Sequence, residues 1–392
     1  MRGFLEREES DFRSWLGKLT FARLNYMTTE DLYISAAWGA MEAARAGVTT
    51  LADASDAASA SLRALNDVGL RSIVYQESFG PDPRLAEENF EKLREKISVL
   101  REYETERVRV GVSPHAVYTV CAPLIERLSR YAVDERLPVM MHAAESEAED
   151  LLVREGVGPF ALNLARRGIT WQAPGTSVIR YLERAGLFQT RPLLAHCIRA
   201  DEEDIEIIRA EGAGIAHCPK SNAKLGHGRA PFAAFINSGA RTGLGSDSVA
   251  SNNLCDMLEE GRFAALLSRA GGDKLASGEM VGAGEALNVA TLGGARALGL
   301  DDRTGALAEG LQADLAVINL KQSHQLPVYN PESALVFSSS ARDVLLTVVA
   351  GREIFRAGRV LTVDEERLYA RMHEIQEKLR AADEELPRIK DR

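Results

Sequence analysis

The sequence predicts an α/β fold, a (β/α)8 TIM barrel lacking its first strand and carrying the remnant of a small β-sandwich, and three observations support that prediction. Between residues 48 and 250 short β-rich runs alternate with longer helical stretches, the pattern of parallel βα units. A helical stretch, Leu32 to Ala46, precedes the first run with no run before it. Polar, reactive residues close most of the runs, at the end where a βα barrel builds its working surface.

The runs are VTTLADAS (48–55), RSIVYQES (71–78), VRVGVSPHA (108–116), PVMMHAAE (138–145), PLLAHCIR (192–199), GAGIAHCPKS (212–221) and RTGLGSDS (241–248). Helices fill the gaps. Ala86 to Tyr103 places apolar residues at helical spacing, and Asp201 is an N-cap for Glu202 to Glu211, closed by Gly212. The helix at Leu32 to Ala46 needs a strand ahead of it to complete its own unit, so an eighth strand is expected upstream of Met1. The barrel should therefore be incomplete over residues 1–300, with an open seam between its first and last strands.

Gly282 to Leu300 reads as helical. Beyond it, GALAEGLQADLAVINL and DVLLTVVAGREIFRAGRVLTV hold strand pairs, with a Gly-containing turn at Arg356 to Arg359, which predicts a β-sandwich appendage over 301–363. The charged tail, 364–392, is assigned to a C-terminal helix.

Composition narrows the function classes. A chain of 392 residues that is 45% hydrophobic and 27% charged can bury a large core. A formal charge of −10 and a pI near 5.4 leave no basic stripe, which argues against nucleic acid or an anionic membrane surface as partner. A small neutral or cationic substrate fits better, and a homodimer stays open. The four cysteines lack paired spacing, the N-terminus is charged from its first residues, and no apolar run approaches the roughly 20 residues of a membrane span. A soluble protein of the reducing cytoplasm is expected.

Four of the seven histidines close runs: His115 the third, His142 the fourth, His196 the fifth and His217 the sixth. Glu145 follows His142, and Asp247 closes the seventh run. One histidine at a strand end is commonly a hydrogen-bonding residue; several on successive strands converge on one rim. Zinc or iron takes imidazole nitrogen and carboxylate oxygen and lowers the pKa of a bound water, so His142 and Asp247 suit the ligand role. Glu145 is placed for general acid and base work, and His196 to orient the attacking hydroxide.

The segments HAAE (142–145), AHC (195–197), HCPKSNAKLG (217–226) and GLGSDS (243–248) resemble the amidohydrolase superfamily, nearest to its nucleoside deaminases and chlorohydrolases. SPHAVYT (113–119) and GLQADLAVINL (310–320) extend the likeness over roughly residues 1 to 360. The resemblance implies that His142 and Asp247 bind a divalent metal, zinc before iron, that Glu145, His196 and Asp247 act in catalysis, and that His115 contacts substrate. His217, with Ser221 and Asn222, would shape the pocket wall, and Trp15 would form part of a lid. Lys220 is expected to face solvent, His227 to touch only the rim, and His324 and His373 to have no role.

The expected reaction is deamination of an aminopurine-type nucleoside or related heterocycle by metal-bound hydroxide. The segment FRSWLGKLTFAR resembles deaminases acting on 6-amino-futalosine; adenosine, methylthioadenosine and S-adenosylhomocysteine are the near rivals, with guanine and triazines behind. One departure matters. The superfamily carries a His-x-His pair on its first strand, and no two histidines here stand two apart. His142 and Asp247 alone make a poor zinc site, so weak or absent metal is expected for the chain as written. A non-catalytic barrel that binds a nucleoside-like ligand or a protein partner is the competing expectation.

Overall fold

A computed structural model describes residues 1–9 and 11–385. Residues 386–392, which the sequence assigns to the terminal helix, lie outside the described residues.

Seven parallel strands follow chain order: β1 (Thr50–Ser55), β2 (Arg71–Ser78), β3 (Val108–Pro114), β4 (Met140–Ala143), β5 (Leu193–His196), β6 (Gly214–His217) and β7 (Arg241–Leu244). Two ladders, β1 to β3 and β4 to β7, are joined by a parallel bridge between Val112 and Val139 and by the His142 N–H donating to the His115 carbonyl at 3.0 Å. Ile73, Val74, Val110, Val112, Met141, Leu194 and Ile215 are all essentially inaccessible, as expected of strands covered on both faces. Among the described residues, neither β1 nor β7 has a strand partner on its outer edge.

The helices between strands bury one apolar stripe each. Ala58–Val68 packs Leu62, Leu65 and Val68 inward and is closed by Gly69 in the left-handed region, φ 90°. The helix expected after Asp201 spans Glu202–Ala210, with Asp201 and Asp204 capping each other reciprocally. The helix read at Leu32 to Ala46 is α2 (Thr29–Arg45), started by a Thr28/Asp31 capping box; ahead of it lies another helix, α1 (Phe12–Tyr26).

On the β7 side the predicted helix runs from Ala283 to Ala297 through a π turn at Val289–Gly293. It approaches the strand backbone to backbone: a Cβ on Gly243 would stand 2.7 Å from the Cα of Gly294. No larger residue fits at that crossing.

Within 301–363 lies one antiparallel sheet, ordered β11-β10-β9-β8, formed by β8 (Leu315–Ile318), β9 (Val344–Val349), β10 (Arg352–Arg356) and β11 (Arg359–Val360). It is tied to the barrel by the Thr347 hydroxyl donating to the Ala44 carbonyl at 2.7 Å and by a buried Arg71–Asp314 ion pair at 2.7 Å. The terminal helix, Glu365–Glu385, lies on α2 through Lys378–Asp31 at 2.6 Å and Arg45–Glu365 at 2.7 Å. Among the described residues no helix is long and apolar enough to cross a membrane.

Candidate active site

The strand ends converge on one mouth. His142 lies within β4, His196 and His217 are the last residues of β5 and β6, and His115 follows β3. Glu145 and Asp247 stand on the loops just beyond β4 and β7. The backbone there is strained: Ala144 (φ 53°), His196 (φ 76°), Cys197 (φ 49°) and Asp247 (φ 56°) occupy the left-handed region without being glycine. Such residues cost about 1–3 kcal/mol each and persist where packing over-determines them, which is typical of functional sites.

The side chains are close-set. The His115 and His142 rings are 4.9 Å apart between centroids, and those of His142 and His196 are 5.7 Å apart. One oxygen of Glu145, Oε1, lies 3.6 Å from Nε2 of His196 and 3.6 Å from Nε2 of His227. Each group is held from behind. His142 Nδ1 donates to the His115 carbonyl at 3.0 Å, which leaves Nε2 with its lone pair. His196 Nδ1 donates to Asn222 Oδ1 at 2.9 Å. Asp247 Oδ2 accepts from the hydroxyls of Ser221 at 2.6 Å and Ser251 at 2.8 Å, and the buried Glu149 accepts the Glu145 backbone N–H at 2.8 Å.

Burial and these neighbours set the charges. Burial, with His196 beside it, holds His142 below its usual 6.5, and burial drives His217 down to about 3. For His196 burial acts in the same downward sense, but Glu145 and Asp247 outweigh it and raise the imidazole. Burial alone would raise Asp247; His196 and the Ser221 hydroxyl overcome it and lower the carboxyl. The mouth thus holds neutral imidazole at His142 opposite an ionised Asp247, the nitrogen and oxygen donors a divalent metal takes.

Several residues sit differently from the sequence expectation. Ser221 and Asn222 are buried, at 0% and 1% exposure, and their hydrogen bonds go to Asp247 and His196, so they brace those two side chains from behind. Trp15 packs in a small cluster with Leu5, Leu225 and Ala250, while Phe12, one turn earlier, meets His227 edge to face at 4.5 Å. The aromatic at the mouth is therefore Phe12, with Trp15 stacked behind it at 6.1 Å. His217 stacks on Phe232 at 5.0 Å. His227 stands beside Glu145 rather than at the rim, and Lys220 pairs with Glu259 at 2.8 Å instead of facing solvent. His324 bonds Asp343 at 3.1 Å, away from the site.

Sequence reasoning missed Phe12, Glu149 and Glu77. Glu77, the penultimate residue of β2, lies 4.0 Å from Nε2 of His115. Its polar neighbours on other strand ends were the available signal, since it too sits near the end of a run. A chain of rings borders the mouth: Phe12 to Phe160 at 6.5 Å, Phe160 stacked on Tyr118 at 4.0 Å, and Tyr118 to His115 at 5.8 Å. Such a wall suits a flat, π-rich ligand.

Residues 2–354 match the amidohydrolase family. The 5-methylthioadenosine/S-adenosylhomocysteine deaminase of Pelotomaculum thermopropionicum is 33% identical over 371 residues, covering 93% of this chain and 79% of that protein. The corresponding deaminase of Desulforudis audaxviator is 34% identical over 361 residues, covering 90% and 77%. Among solved structures, a zinc-bound adenosine deaminase from Xanthomonas campestris superposes with a TM-score of 0.82 at 26% identity, over 94% of this chain and 80% of that one. Atrazine chlorohydrolase from Arthrobacter aurescens, also with zinc, shares the fold at a TM-score of 0.80 and 24% identity, over 97% and 84%.

Proposed function

Since this chain belongs to the amidohydrolase family, we propose that it is a metal-dependent aminohydrolase that removes the exocyclic amine of an aminopurine nucleoside. The observation that carries the reading is the single Glu145 oxygen placed 3.6 Å from both His196 and His227, beside Asp247 and His142 on one rim. Such a cluster can deliver a proton to one side of a ring and collect another from the attacking water.

The roles follow from the bonds each group has left. His142, through its free Nε2, and Asp247 would hold the metal, for which zinc is proposed on the strength of the zinc-bound adenosine deaminase. A divalent ion in that setting supplies Lewis acidity and a lowered water pKa. Glu145 protonates the ring nitrogen next to the amine-bearing carbon, which makes that carbon electrophilic. His196, whose basicity is raised by Glu145 and Asp247, takes one proton of the attacking water and passes it to the departing ammonia, and the second water proton returns to Glu145 as the product carbonyl forms. Asn222 fixes the His196 ring so that Nε2 faces the reaction. His115, with its ring beside Phe79 at 4.9 Å and Tyr118, is placed to contact the substrate, and Phe12 covers the base from the α1 side.

The substrate proposed first is a 6-aminopurine nucleoside modified at its 5′ position, of the kind named for the curated relatives; adenosine, 6-amino-futalosine, guanine and triazines follow. The test is a liquid-chromatography panel of these amines with zinc supplied, scored by ammonia release. A purine nucleoside turned over in preference to guanine and triazines supports the reading. Ammonia from none of them sinks it.

A further inference from the structure

Glu77 is a strand-end acid that the proposed deamination leaves unused, and it faces two imidazoles whose free nitrogens are already set. One ligand atom each from Glu77, His115 and His142 lie within 4.8 Å of one another. His142 Nδ1 donates to a backbone carbonyl, so its Nε2 carries a lone pair. For His115 the argument takes one more step. The Thr119 hydroxyl gives its hydrogen to the Ala116 carbonyl at 3.0 Å, so toward His115 Nδ1, 2.8 Å away, it can only accept. Nδ1 therefore holds the ring hydrogen, and Nε2 of His115, 4.0 Å from the Glu77 carboxyl, is a second free lone pair.

Two imidazoles locked into the same tautomer by backbone-anchored partners, with a carboxylate within 4.8 Å of both, form a two-histidine, one-carboxylate donor set, and such anchoring is what orients metal ligands. At metal–nitrogen distances of about 2.0–2.1 Å, tetrahedral ligands stand about 3.4 Å apart, so inward shifts of about 1 Å close the triangle. This set offers three protein ligands from the present sequence, against two from His142 and Asp247.

We propose that Glu77, His115 and His142 form a second divalent-cation site. It shares His142 with the His142/Asp247 pair, and because His142 has a single free nitrogen the two settings exclude each other. An ion at Glu77 also withdraws His115 from the substrate side, so the ion held there inhibits turnover and must pass to the Asp247 side of His142 for the reaction.

The test is titration of the metal-stripped full chain with Co²⁺ and with Zn²⁺ alone, followed by the visible cobalt band and by calorimetry. Wild type, Glu77→Gln, His115→Gln and Asp247→Asn are compared, with thermal melting of each metal-free protein as the folding control. The expected result is one ion per chain, its affinity lowered at least about tenfold by Glu77→Gln and by His115→Gln, since disturbing even an outer partner of a metal ligand costs about 10–100-fold. Asp247→Asn is expected to leave the affinity nearly unchanged. Should Glu77→Gln not fold, Glu77→Asp with His115→Gln gives the same comparison. Wild-type affinity in both the Glu77 and His115 variants overturns the proposal and leaves the deaminase reading standing, because the deaminase assigns its ion to Asp247; no cobalt band in the wild type overturns both.

Discussion

Glu145 and His196 face each other from the ends of β4 and β5, Oε1 to Nε2 at 3.6 Å, with the Glu145 backbone N–H anchored on Glu149 and the His196 ring anchored on Asn222. The acid and the base of the proposed reaction are thus fixed from two independent directions before any substrate enters.

Glu145→Gln keeps the shape of the side chain and removes its proton chemistry. Turnover should fall by about 10²–10⁴-fold, the usual contribution of a positioned acid or base, with metal content unchanged. Ammonia release paired with elemental analysis reads both quantities. A Gln variant of near wild-type rate would remove Glu145 from the mechanism.

Asn222→Leu strips the acceptor from the His196 Nδ1 hydrogen in a buried setting. An unsatisfied buried donor costs about 1–3 kcal/mol, so kcat should drop about 10–100-fold while KM moves little. Equal losses in kcat and KM-controlled binding would indicate that Asn222 touches substrate instead.

Stability should depend on pH through the buried acids. Burial raises Glu149 from 4.5 to about 8 and Glu260 from 4.5 to about 7. Acids whose folded values lie above their unfolded ones favour the folded state fully below pH 4.5, and that contribution is lost as pH climbs through 7 and 8. The melting temperature should therefore decline between pH 6.5 and 8, above the range in which the lowered His142 and His217 add stability as pH rises, and Glu149→Gln, whose amide oxygen can still accept the Glu145 N–H, should flatten the decline by about 1 kcal/mol or more. A wild-type curve that rises across this window contradicts the assignment.

Arg71→Met tests how the appendage is held. Arg71 at the start of β2 and Asp314 ahead of β8 have side chains 3% and 0% exposed, and they meet through Nε–Oδ2 at 2.7 Å and Nη2–Oδ1 at 3.0 Å. Removing one partner strands the other charge in the interior, at a cost of about 3–5 kcal/mol measured by urea unfolding. Arg71→Met with Asp314→Leu should recover most of that loss, because the penalty lies in the orphaned charge.

What could be read from the sequence is whatever depends on local periodicity. Alternating β-rich runs and amphipathic stretches located all seven strands, and parallel βα connection carries each C-terminal end to the same rim, so His115, His142, Glu145, His196, His217 and Asp247 could be gathered from their positions in the runs. The capping of Glu202–Ala210 by Asp201 was equally local. Side-chain direction and long-range pairing were decided only by the assembled fold. β7 stops at Leu244 and the chain turns through the left-handed conformation at Asp247, although GLGSDS reads as continuous strand. That Asn222 points at His196, that His227 reaches Glu145, and that Phe12 rather than Trp15 stands at the mouth depend on where α1 and the segment after β6 come to rest against strands distant in the chain. Periodicity records which face of an element is buried, whereas the partner it meets there is chosen by packing among elements far apart in sequence, and no short-range pattern encodes that choice.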